Sequence, residues 1–118
     1  MPSDKPARRL RDIVENANAI ARYTEGMDAN GLEENPMVSD AVERCLERIC
    51  EAVAKLGDQA AVFLPGQPWH KIKAFGNVLR HEYDDIVRDR LWDVVQNDLP
   101  PLVATCQVSL RKLSEERC

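Results

Sequence analysis

Residues 35–57 read NPMVSDAVERCLERICEAVAKLG, and this stretch decides the fold. Val38, Ala41, Val42, Cys45, Leu46, Ile49, Val53 and Leu56 recur at three- and four-residue steps with charged residues between them. That pattern is one apolar stripe along an amphipathic helix. Both ends are marked. Asn35 before Pro36 is a capping side chain followed by a proline, whose missing N–H is harmless in a first turn. Gly57 stands where a helix commonly leaves through a left-handed residue. The expectation is a helix over residues 36–56.

The same period runs outward in both directions. Leu10, Ile13, Ala17, Ile20 and Met27 predict a helix over residues 6–26, with Pro6 in its first turn and Gly26 weakening its end. Residues 27–34 contain Asp28, Asn30 and Gly31 and read as a loop. Residues 58–67 read as a second loop, turned by Pro65 and Gly66, whose apolar run 60–64 docks on the core. Pro68 opens a third helix over residues 68–84. A fourth helical segment starts near Asp89, carries Leu91, Trp92, Val95 and Leu99, and meets Pro100-Pro101. A proline pair there is expected to kink or break the helix. Asp98 is then expected to cap a restart through Leu102, Val103, Cys106, Leu110 and Leu113. No segment alternates at period two, and no repeat is visible. Short loops between long helices favour antiparallel neighbours. The fold expected is all-α, an antiparallel up-and-down four-helix bundle. It forms a single domain over residues 1–118 with its core at about 10–113. The width of several stripes points to a helical dimer.

Composition sets the outer limits. A chain of 118 residues supports one core. Aromatics are only 5%, which argues against stacking platforms for single-stranded nucleic acid. A formal charge of −4 argues against a protein that coats DNA by bulk charge. No helix-turn-helix spacing is apparent, so a sequence-specific DNA binder fits poorly. The longest apolar run, residues 60–64, is far too short to cross a membrane. No basic segment followed by an apolar one opens the chain, so a cytoplasmic protein with reduced thiols is expected. Cys45, Cys50 and Cys106 fall in apolar-periodic stretches and read as small core residues, with Cys118 exposed at the terminus. None forms a CxxC, so no structural zinc is expected.

The third helix is unusual. On a wheel of about 100° per residue, Ile72, Phe75, Leu79 and Ile86 take one side. His70, Ala74, Asn77 and His81 take the other, so both histidines of the chain share a stripe. Residues 69–90 hold five Lys/Arg against four acids, a formal +1 that leaves −5 for the rest. Imidazole moves protons near neutral pH, and arginine holds a phosphate through two donors. Together they suit phosphodiester chemistry. The plainer alternative is a solvated helix face. A metal held by His70 and His81 is disfavoured, because eleven residues of helix separate them by about 16 Å.

The order of residues resembles a known family. Pro68-Trp69 opens the stretch, Gly76-Asn77-Val78-Leu79-Arg80-His81-Glu82-Tyr83 follows, and Leu91-Trp92 leads to Asp98-Leu99-Pro100-Pro101-Leu102. With Leu10-Arg11-Asp12-Ile13, Ala41-Val42 and Cys50-Glu51-Ala52, it resembles the HepT-like members of the HEPN superfamily over residues 10–110. The resemblance implies a dimeric helical bundle that cleaves RNA without metal or other cofactor. It implies a toxin paired with a nucleotidyltransferase antitoxin, with tRNA or mRNA as substrate. The family's signature is an Arg, a polar residue, a His and a Tyr two positions later. His81 matches the histidine, Asn77 the polar residue, and Tyr83 the tyrosine that the antitoxin adenylylates in some systems. Gly76 stands where the signature has Arg.

Arg80 lies one turn after Gly76 and can serve as the phosphate contact; alternatively it pairs with Asp84 on the surface. His81 is the expected general acid or base, with Lys73 and His70 as expected substrate contacts. The alternative function is a non-catalytic helical subunit that binds a nucleotidyltransferase partner or nucleotide.

Overall fold

The computed structural model describes residues 4–67, Gly76 and residues 90–117. Every regular element among them is helical. Helix α1 spans Asp4–Tyr23, α2 Ala29–Glu33 and α3 Pro36–Leu56. A 3₁₀ turn at Gly57–Gln59 and a single turn α4, Ala60–Phe63, follow. Residues 90–93 are helical, Val94–Asp98 forms a π turn, and α5 covers Leu99–Arg117. The all-α bundle read from the periodicity is the observed class.

Helix α3 has the bounds its sequence marks. Asn35 Oδ1 accepts from the Val38 N–H at 3.2 Å, and Pro36 opens the first turn. Gly57 closes it at φ 57°, ψ −130°. A Cβ added at Gly57 would meet nothing within 4 Å, so glycine is needed there for its torsion rather than for space.

The apolar stripes meet as expected. Leu10, Ile13 and Ile20 of α1, with Val42, Leu46, Ile49 and Val53 of α3, are at most 2% exposed. Arg9 and Lys55 line one groove, while Arg22 lies near Cys45, so α1 and α3 run antiparallel. Residues 17–21 of α1 border residues 95–107. Gln67 bonds Thr105 and Ser109 bonds the Phe63 carbonyl, at the end where α3 finishes. Helix α5 therefore runs antiparallel to α1 as well.

Three expectations need correction. Helix α1 ends at Tyr23, not near residue 26; Thr24 Oγ1 donates to the Ile20 carbonyl at 2.8 Å, and Gly26 turns the chain at φ 77°. The stretch read as a loop over residues 27–34 contains α2. Asp28 caps it by accepting from the Gly31 N–H at 2.7 Å, Leu32 is buried, and Ser39 Oγ donates to the Leu32 carbonyl at 2.6 Å. The third concerns Pro100-Pro101. The chain stays helical through both prolines and neither kinks nor restarts there. The Leu99 N–H bonds the Val94 carbonyl, an i to i−5 link, and Asp98 lies inside this π turn rather than at a cap. A wider turn just before the prolines relieves the contact each ring would make with the carbonyl four residues earlier.

The apolar run 60–64 does dock, through Ala60 and Leu64, while Val62 remains exposed. Cys45, Cys50 and Cys106 are buried thiols, as read. Burial pushes Cys106 up to about 12 and outweighs Arg48 and Arg22 to raise Cys45 as well. Cys118 lies outside the described residues.

Candidate functional site

Gly76 is the one described residue of the motif, and its surroundings explain its identity. It is helical and buried, and it is not among the glycines with positive φ. Its backbone torsions would therefore suit any residue. What crowds a side chain there is α3. A Cβ at position 76 would lie 3.1 Å from Cys50 Cβ and 3.4 Å from Cys50 Sγ. Carbon atoms in contact prefer about 3.5–4.0 Å. The cysteine Cβ is fixed to its own helix, so it can yield only if α3 moves. Position 76 thus faces the inside of the bundle, against the thiol of α3. Cys50 read as an ordinary core residue in the sequence. The signal that could have marked it is a glycine, a poor helix residue, inside an expected helix.

The remaining expected site residues, His70, Lys73, Asn77, Arg80, His81 and Tyr83, lie outside the described residues. Also outside are the third helix beyond Gly76 and the alternative pairing of Arg80 with Asp84.

Two grooves occur elsewhere among the described residues. One, of about 230 Å³, lies between α1 and α3 and is lined by Arg9, Asp12, Asn16, Arg48, Glu51, Ala52 and Lys55. Its α3 residues sit about 100–200° around the helix from Cys50, away from Gly76. Lys55 pairs with Glu51 at 3.1 Å and Arg9 with Asp12 at 3.5 Å, each within its own helix. Exposed pairs of this kind are solvated surface and carry little energy. The second groove, of about 320 Å³, lies between α1 and the 95–107 stretch and is mostly apolar, with Ala17, Ala21, Val103 and Ala104 on its walls.

Comparison with known proteins draws these observations together. The family model described as ribonuclease HepT-like matches residues 13–108. "Putative RNase MJ1380" of Methanocaldococcus jannaschii is 34% identical over 93 residues, covering 79% of this chain and 85% of that protein. "Putative RNase MJ0127" of the same organism is 32% identical over 100 residues, covering 85% and 83%. A third relative, "Putative RNase TTE0752" of Caldanaerobacter subterraneus, is 24% identical over 107 residues, covering 91% and 96%. No solved structure matches.

Proposed function

This chain belongs to the ribonuclease HepT-like family, and from that membership we propose that it is a metal-independent endoribonuclease toxin. It works as a homodimer and is held in check by a nucleotidyltransferase antitoxin. The observation that carries this reading is the family match over residues 13–108, which includes the whole of the Gly76-to-Tyr83 motif.

The chemistry follows from the residue types. One His81 takes the proton from a ribose 2′-OH. The 2′-oxygen forms a bond to phosphorus as the bond from phosphorus to the 5′-oxygen breaks, leaving a cyclic phosphate. The His81 of the second copy gives its proton to the departing 5′-oxygen. Arg80 supports the charge gathering on the phosphoryl oxygens, and Lys73 and His70 hold the strand. Asn77 orients the imidazole or the substrate. Counted on an ideal helix from Gly76, Asn77 and His81 stand about 100° and 140° around and Arg80 about 40°. On that ideal count the histidine stripe points away from the direction of position 76. Adenylylation of Tyr83 adds a bulky anion beside a phosphate site and blocks RNA by volume and charge.

The test is cleavage of total tRNA and of a structured mRNA by wild type, His81→Ala and Arg80→Ala. Cleavage lost in His81→Ala while the oligomeric state survives supports the reading. Undiminished cleavage in that variant overturns it. A second reading is favoured by Gly76, which leaves the signature without its arginine. In it the chain is a catalytically degenerate helical subunit that binds the nucleotidyltransferase or a nucleotide. It predicts co-purification with that partner and no turnover of RNA by wild type at any pH.

A further inference from the structure

The contact between Cys50 and Gly76 joins the bundle core to the motif, and it deserves a role of its own. Gly76 immediately precedes Asn77 and lies one turn before Arg80. Its bare Cα sits on Cys50 so closely that even a methyl group would come within 3.1 Å of the cysteine Cβ. Helix torsion does not require glycine here, and glycine is a poor helix residue. The residue is therefore explained by the depth to which this helix seats against α3.

We propose that Cys50 and Gly76 form a positioning contact: their close approach sets the distance of the motif helix from α3, and through it the placement of Asn77, Arg80 and His81 on the scissile phosphate. The proposal rests on the ribonuclease reading and deepens it. It also gives the missing signature arginine a cause. An arginine at position 76 would start from a Cβ only 3.1 Å from Cys50 Cβ, so α3 or the backbone at 76 would have to give by a few tenths of an ångström to carry it. The phosphate contact falls instead to Arg80.

A displacement of a few tenths of an ångström barely changes binding of a long polyanion but degrades attack geometry, where misplacement by about 1 Å can cost about a hundredfold. Gly76→Ala is therefore expected to lower kcat about tenfold with KM changed less than about twofold. The decisive arm is rescue. Cys50→Gly removes both atoms that a Cβ at 76 would meet among the described residues, so Gly76→Ala/Cys50→Gly should return to the kcat of Cys50→Gly alone. Cys50→Ala keeps the Cβ at fault and removes only the sulfur, so it should rescue only in part.

Steady-state cleavage of one tRNA substrate by these variants, with unfolding midpoints alongside, reads the cycle. Full kcat in Gly76→Ala, or losses in the double variant equal to the product of the two singles, overturns the contact's role. If Gly76→Ala does not fold, recovery of folding in the double variant supports the contact and its absence overturns it. A wild type that cleaves no RNA overturns the ribonuclease reading beneath, an outcome recognised by the lack of any activity to lose.

Discussion

Helix α3 meets its neighbours in two opposite ways. Toward α1 it presents Val42, Leu46, Ile49 and Val53, branched side chains that fill space against Leu10, Ile13 and Ile20. At Gly76, the described residue of the motif, it presents the Cys50 thiol against a residue with no side chain at all. The aliphatic seam removes a large apolar area from water and holds the bundle together. The Gly76 contact itself adds little apolar area and, on the positioning proposal, fixes a distance. Two faces of one helix thus divide stability from placement, and changes on each should register in different measurements.

Substitutions can break that division, beginning with the largest expected effect. Leu46→Ala in the seam should lower unfolding free energy by about 2–5 kcal/mol in urea titration, with kcat of the folded fraction intact. A loss in kcat without a loss in stability would erase the distinction between the faces. Gly76→Ala should move stability much less. Helix propensity favours alanine by about 1 kcal/mol, while crowding against Cys50 costs about 1–3 kcal/mol. The net change is about 0–2 kcal/mol, and the loss appears in kcat instead. Asn35→Ala removes the cap that starts α3 before either face begins. It should cost about 1 kcal/mol and leave the kcat difference between the faces unchanged.

The last effect is absent at neutral pH and appears only in the alkaline range. An unfolded thiol ionises near 9, whereas burial holds the Cys106 thiol protonated up to about 12. Between those values the folded chain retains a proton that the unfolded chain releases. Stability should be level below pH 9 and fall as pH rises toward 12. Cys106→Ala should flatten that slope while leaving the α3 seam and crossing in place. Equilibrium unfolding across the alkaline range checks this.

These contrasts also show what a sequence makes legible. Helix α3 was readable to the residue because Asn35, Pro36 and Gly57 are local signals that act on the chain's own torsions and hydrogen bonds. Helix α2 was not. Its five residues are too few for a period, and it depends on Leu32 entering the core and on Ser39 reaching back to the Leu32 carbonyl. Pro100-Pro101 announced trouble in a helix but not its solution, because a π turn and a break both accommodate a ring without an N–H. For the candidate site only an expectation was legible: residue types and spacing in the Gly76-to-Tyr83 motif, of which Gly76 alone is described. The partner of Gly76 was not, because a close approach between helices distant in sequence leaves no periodic trace. Cys50 looked like any other apolar position of its stripe.

The most direct test of the account is cleavage of total tRNA by the wild-type chain and by His81→Ala, both purified without the proposed nucleotidyltransferase partner and confirmed as the same oligomer. The account predicts discrete cleavage products ending in cyclic phosphate from wild type and a loss of about 10²–10⁴-fold in His81→Ala. Equal cleavage by both proteins would contradict it.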